Sequence, residues 1–330
     1  MIPLLLLLLV LAGYFLGPNP STPEYAEDLP VLPEITDGLE DSLKASEARH
    51  ILRPDNEARI VWADSSRQKT PYSIVYLHGF SASQAEGDPV HRNIARHFGM
   101  NLYLSRLSEH GIDTSEQLLN LDPEKYWESA QAAMAMGLQL GEKVILMGTS
   151  TGGTLALMLA ARYGNIAALV LLSPNIEIND PNAWMLNNPW GLQIARAVIG
   201  SEYIYSTDER PIYKQYWNYP YRIEGAVALQ ELLETTMHKE TFEQVEEPAL
   251  LLYYYRDKVH QDSVVRVSAM KEMFAELGTP DSLKRSAAMP LTGNHVIGSY
   301  IKSADVEGVE REIRLFLDQL PGIRESRMKN

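Results

Sequence analysis

From about residue 59 the apolar positions fall into short β-rich runs set between longer amphipathic stretches. The runs Arg59–Ala63, Ser73–Leu77, Asn101–Leu104, Lys143–Met147, Ala168–Leu172, Ala249–Tyr255 and Arg285–Met289 read as strands. Between them, Glu124–Leu140, Gly153–Tyr163, Val264–Leu277 and Val306–Leu320 carry helical periodicity. Such alternation predicts an α/β fold, a mostly parallel sheet with helices on both faces. The rhythm breaks between Pro174 and about Val245, where no convincing strand occurs, so residues 175–245 are expected to form a cap or lid insertion above the carboxyl ends of the strands. The core would then comprise residues 46–174 and 246–330.

The N-terminus has a different pattern. Ile2 to Leu16 is an almost unbroken apolar run without charge, closed by Gly17-Pro18-Asn19-Pro20. The run is short of the roughly 20 residues that cross a bilayer comfortably, and it lies near the length of a signal-peptide core. Residues 1–17 are therefore expected to export the chain, as an uncleaved membrane anchor or as a cleaved signal that leaves a secreted or periplasmic protein. Residues 18–45 begin with five prolines (Pro18, Pro20, Pro23, Pro30, Pro33) among acidic residues, the composition of an extended linker or stalk.

Charge and composition narrow the functional classes. With 29 Lys plus Arg against 43 Asp plus Glu, the formal charge is −14, which argues against nucleic acid as a partner. Cys is absent, so disulfides, Cys-ligated metals and thiol nucleophiles are excluded.

The chemistry gathers at four places. Lys143–Met147 runs directly into Gly148-Thr149-Ser150-Thr151-Gly152-Gly153 and then a helical run, the strand–turn–helix context in which Gly-x-Ser-x-Gly exposes a nucleophilic Ser150. The strand Ser73–Leu77 ends in His78-Gly79-Phe80, so the N–H groups of Phe80 and Thr151 form a candidate oxyanion hole, with the His78 ring in a structural role. The strand beginning at Ala249 leads to Asp257, the preferred orienting acid, while Asp262 is its competitor and is read as a helix cap. Of the two histidines that follow Asp257, His260 stands too close to it in sequence, which leaves His295 in Gly293-Asn294-His295 as the base.

These residues carry a resemblance. Over about residues 55 to 320 the chain resembles the α/β-hydrolase superfamily, in its monoacylglycerol lipase-like and serine aminopeptidase-like branch. The resemblance rests on Leu77-His78-Gly79-Phe80, the Ser150 elbow, Asp257 and Gly293-Asn294-His295. Arg106-Leu-Ser-Glu-His110-Gly111 also looks like this branch's Gly-His-Gly loop, with Glu109 where a Gly is usual, and the elbow has Thr149 where His is frequent. It implies a Ser150–His295–Asp257 triad with Phe80 and Thr151 as oxyanion donors, working through an acyl-enzyme without metal or organic cofactor.

Two readings of substrate remain. Nine aromatics between Trp184 and Tyr221, where the chain-wide 8% would give about three, suit an apolar acyl substrate or simply the small core of a cap. A carboxylic ester is expected; the alternatives are an aminopeptidase-like amide hydrolase and a non-catalytic, surface-tethered binding module on the same scaffold.

Overall fold

The computed structural model describes residues 11–35 and 38–324. The helices are α1 (Leu39–Glu47), α2 (Val90–Phe98), α3 (Pro123–Leu140), α4 (Thr151–Ala160), α5 (Gly191–Ile199), α6 (Pro211–Tyr216), α7 (Ile223–Thr236), α8 (Lys239–Glu243), α9 (Val267–Glu276) and α10 (Val306–Gln319). The strands are β1 (Arg59–Val61), β2 (Thr70–Leu77), β3 (Asn101–Leu104), β4 (Gly141–Thr149), β5 (Ile166–Leu172), β6 (Tyr203–Ile204), β7 (Tyr221–Arg222), β8 (Ala249–Tyr253) and β9 (Lys284–Ala288). Seven of them make one sheet in the order β1-β3-β2-β4-β5-β8-β9, parallel except where β1 meets β3. All seven expected strands are present, and the short β6–β7 pair lies within residues 175–245, where no strand was expected.

Both faces of the sheet are covered, which explains why its central strands are apolar at successive positions. Along β2, Val75 and Leu77 pack into a core with Tyr126 and Trp127 of α3, Leu155 of α4 and Met270 of α9. Ile74 and Tyr76 point the other way, into a second core with Ile94 of α2 and Ile313 and Phe316 of α10.

Register sets where the chemistry stands. Leu77 pairs with Gly148, Thr149 with Leu172, Leu172 with Leu252, and Tyr253 with Ala288. Strands β2, β4, β5, β8 and β9 therefore end level, and the loops that follow them converge at one edge, where open parallel sheets bind ligands.

The N-terminal expectation is corrected. Among the described residues no helix is long and apolar enough to cross a membrane, so the membrane anchor expected over residues 1–17, and the membrane localisation built on it, are not supported. Residues 1–10 of that segment lie outside the described residues. The described part is held by Trp190 instead, which donates from Nε1 to Gly13 O at 2.9 Å and from its backbone N–H to Pro18 O at 2.9 Å. Nor does the proline-rich stretch stand off as a stalk. An extended proline-rich backbone leaves its carbonyls unpaired, and here Trp127 Nε1 and Gln131 Nε2 donate to Ala26 O while the Tyr163 hydroxyl donates to Glu27 O.

Candidate active site

Ser150 sits between β4 and α4 with φ 53° and ψ −121°, a conformation that costs on the order of 1–3 kcal/mol and persists only where its surroundings enforce it. The enforcing contacts are visible. Ser150 N–H donates to Leu172 O at 3.0 Å, and Ser150 O accepts from Gly153 N–H at 2.8 Å and Asn175 N–H at 2.9 Å. Gly152 lets the elbow press on β2, since a Cβ there would stand 1.9 Å from Leu77 O. Thr151 opens α4, so its N–H has no carbonyl four residues back to meet.

The turn after β2 lies against this elbow. At Gly79 a Cβ would stand 2.9 Å from both Ser150 Cβ and Glu86 Oε1, so only glycine admits the approach. The turn is held from three sides. His78 donates from Nδ1 to Gly79 O at 2.9 Å, the Glu86 carboxyl accepts from Gly79 N–H at 2.5 Å, and His110 Nε2 accepts from Ser81 N–H at 3.0 Å. Among the described residues the Phe80 N–H makes no such bond, and Phe80 lines the Ser150 cavity. The other nitrogens of the two imidazoles are occupied as well: His78 Nε2 accepts from Leu107 N–H, and His110 donates from Nδ1 to Ser108 O. Burial holds both rings below their usual pKa, His78 at about 4, which suits neutral structural roles. Glu109 takes φ 63°, the left-handed conformation for which glycine is ordinarily chosen at that place.

The acid beside His295 is Asp262, and the preference for Asp257 does not fit the geometry. His295 donates from Nδ1 to Asp262 Oδ2 at 2.6 Å, and Asp262 is 1% exposed. Asp257, its side chain 50% exposed, instead accepts from Val259 N–H, from His260 N–H and from the His260 ring. The His260 backbone N–H and ring hold its carboxyl down at about 2. The cause is a hairpin-like excursion. β8 ends at Tyr253, Tyr255 pairs antiparallel with Gln261, and both Arg256 and Asp257 N–H groups donate to His260 O. Asp257 is carried out to the tip and Asp262 returns to the sheet edge. Asp262 does receive capping-type bonds from Val264 and Val265 N–H, but both go to Oδ1 and leave Oδ2 for His295. Burial of the His295 ring opposes its charged form, yet the Asp262 charge and hydrogen bond, with Glu86 adding, outweigh it and raise the pKa above its usual value.

Ser150, His295, Phe80 and Glu86 share one cavity of about 790 Å³. Its walls include residues within 185–229: Met185, Leu186, Ile194, Val198, Ile204 and Leu229 supply aliphatic surface, and Tyr213, Trp217, Tyr219 and Tyr221 supply rings. Those four are part of the aromatic run. The other five work elsewhere or stand in solvent; Tyr216 donates to Asp55, Tyr203 to Glu116, Trp190 holds the N-terminal segment, and Trp184 and Tyr205 are exposed.

Comparison with known proteins agrees with the fold. The family model described as serine aminopeptidase, S33, matches residues 122–285. Among solved structures, that of the metagenome-derived lipolytic enzymes LipS and LipT aligns with a TM-score of 0.62 at 17% identity, over 84% of this chain and 100% of that one. This chain has the α/β-hydrolase fold. A soluble variant of monoglyceride lipase from Saccharomyces cerevisiae aligns with this chain at a TM-score of 0.59 and 12% identity, over 80% of this chain and 91% of that one. The monoacylglycerol lipase of Paleococcus ferrophilus aligns at 0.53 and 14% identity, over 83% and 100%. No curated protein matches this chain by sequence.

Two residues of this site escape the motifs. Glu86 is the single charged residue between His78 and Gly87, a signal the sequence does contain, but it belongs to no strand end or recognised turn. Asn175 follows β5 and lines the Ser150 cavity, and its buried Oδ1 has no hydrogen-bond partner among the described residues.

Proposed function

We propose that this α/β-hydrolase is a serine esterase that cleaves carboxylic esters of apolar acyl groups through Ser150, His295 and Asp262. The observation that carries the reading is the 2.6 Å bond from His295 Nδ1 to a buried Asp262, in a cavity that His295 shares with Ser150. With Nδ1–H committed to the carboxylate, the neutral ring keeps Nε2 as the acceptor, the tautomer a general base for Ser150 requires. As Ser150 Oγ attacks the ester carbonyl, its proton passes to Nε2, and the new oxyanion is met by Phe80 N–H and Thr151 N–H. The imidazolium returns the proton to the departing alkoxide. Water, deprotonated by the same His295, then releases the acid from Ser150.

Esters are favoured over amides by the wall chemistry. An acyl chain gains about 0.8 kcal/mol for each CH₂ buried against such aliphatic and aromatic surface. The carboxylates in the lining are Glu86, which is buried and engaged by Gly79 N–H, and Asp180, which is exposed to solvent and accepts from Asn182 N–H, so the lining holds no buried, unengaged carboxylate for a substrate ammonium. The test is kcat/KM across straight-chain p-nitrophenyl esters beside aminoacyl p-nitroanilides. Hydrolysis rising with chain length to an optimum supports the esterase; faster anilide cleavage with a flat ester profile rejects it in favour of the peptidase.

A further inference from the structure

Glu86 is 2% exposed, lines the cavity that holds Ser150 and His295, and has a role in neither the triad nor the acyl pocket described above. It stands on the short 3₁₀ turn Gln84–Gly87, and its neighbours Ala82, Ser83 and Ala85 are buried small residues that bring the turn against the site. Its carboxyl takes the Gly79 N–H, one peptide before the Phe80 N–H. The Gly79 carbonyl, part of the same peptide unit as Phe80 N–H, is held by His78. A buried carboxyl is costly unless it does something for the structure or the chemistry, and here it pulls on one end of the segment that aims the oxyanion donor.

We propose that Glu86 is a positioning residue of the catalytic centre: its carboxylate anchors Gly79 so that Phe80 N–H points at the oxyanion, and its negative charge supports the His295 imidazolium. The proposal rests on the serine-hydrolase reading of Ser150 and His295. It differs from the Asp262 role because Asp262 bonds the ring itself, whereas Glu86 acts through the turn and through its charge.

The groups that face Glu86 favour this. His295, on the loop after β9, is a charge partner. Tyr76 of β2 and Tyr126 of α3 also feel its charge, and burial keeps both phenols neutral well above the usual range. His91 of α2, near in sequence, is held neutral by burial at about 3. Asp88 has Arg92 as its counter-charge. Glu86 itself is pushed up to about 7 by burial, against the opposing pull of Gly79 N–H and His295, so its charge changes within the working range of a histidine base.

Glu86→Gln and Glu86→Leu separate the two parts of the role. Hydrolysis of p-nitrophenyl butyrate is followed from about pH 5 to about pH 9 in the full chain, with fluorophosphonate labelling of each protein as the control. Gln keeps an acceptor for Gly79 N–H and removes the charge, so the acid limb of kcat/KM should move to lower pH while kcat on the plateau stays well above that of the Leu variant. Leu removes the acceptor, and kcat should fall about 10²-fold with KM changed less than about threefold, the pattern of a misaligned oxyanion donor. A space-filling side chain would lower thermal stability and move neither the limb nor the kcat–KM split. If the Leu variant does not fold, the Gln limb shift alone decides. An unshifted Gln limb, or a Leu variant with wild-type kcat, overturns the role of Glu86 while labelling of the wild type leaves the serine-hydrolase reading standing. A wild type inert to the probe overturns both.

Discussion

Replacing Asp262 by Asn tests the site at its least obvious residue. In the wild type Oδ1 accepts from Val264 N–H and Val265 N–H at 2.9 and 3.1 Å, and Oδ2 accepts from His295 Nδ1–H at 2.6 Å. An Asn that keeps the two backbone bonds on its carbonyl must turn its NH₂ toward His295. The ring then has to accept at Nδ1 and carry its proton on Nε2, the wrong tautomer for taking a proton from Ser150. The loss should be roughly 10⁴ in kcat, about 5.5 kcal/mol of transition-state stabilisation, with KM little changed because no substrate contact is removed. The loop should survive, since both backbone bonds are kept. Asp257→Asn touches a solvent-exposed pair with His260 and should stay within about threefold of wild type. The assay is kcat and KM on a p-nitrophenyl ester for both variants, with circular dichroism and thermal melting to exclude unfolding. A 10³-fold loss in Asp257→Asn, with Asp262→Asn within tenfold, would refute the reasoning and return the acid role to Asp257.

Trp217→Ala removes a buried ring that lines the cavity and stacks on Tyr213 at 4.9 Å; the ester chain-length optimum should move to longer chains and kcat/KM for short ones should fall, read from a p-nitrophenyl ester series. Gly79→Ala places a Cβ 2.9 Å from Ser150 Cβ and Glu86 Oε1, so kcat should fall at least about 10²-fold in steady-state assays, and a variant of wild-type kcat would contradict the tight approach. Because the pKa of His295 is raised, kcat/KM of the wild type should decline as pH falls through a value above about 6.5, and Asp262→Asn should carry its residual acid limb lower. Glu86 gives a stability test with the opposite chemistry. Its folded pKa is raised to about 7, so its contribution to stability is present below its unfolded value and lost as pH rises through about 7; Glu86→Gln should therefore raise Tm more at pH 8 than at about pH 5.

What could be read along the chain follows from how local each signal is. The Ser150 elbow is contiguous: a buried strand, a glycine-flanked turn and an apolar helix are written in order from Lys143 to Ala160, and the strained φ of Ser150 was implicit in the glycines around it. The mostly parallel sheet was legible in the seven β-rich runs, whereas the register that levels the strand ends and brings His78-Gly79-Phe80, Ser150 and His295 to one edge is set by the pairing between strands. Which Asp reaches His295 was not local. That choice is made by the Tyr255–Gln261 pairing, where the bonds from Arg256 and Asp257 N–H to His260 O turn Asp257 outward and bring Asp262 back. Glu86 was missed for a related reason, since its partner Gly79 lies seven residues away and the approach depends on the 3₁₀ turn between them. The N-terminal reading failed because hydropathy and proline content describe a segment alone, while Trp190, Trp127, Gln131 and Tyr163 offer its backbone carbonyls hydrogen bonds that composition does not reveal.

The central claim is that Ser150 is an activated nucleophile, and covalent labelling tests it most directly. The full chain and its Ser150→Ala variant are incubated with a fluorophosphonate and their intact masses compared, followed by peptide mapping of any adduct. The account predicts one adduct on the wild type, mapped to Ser150, slowed sharply in Asp262→Asn and absent from Ser150→Ala. A wild type that takes no label, or an adduct that persists in Ser150→Ala, would contradict it.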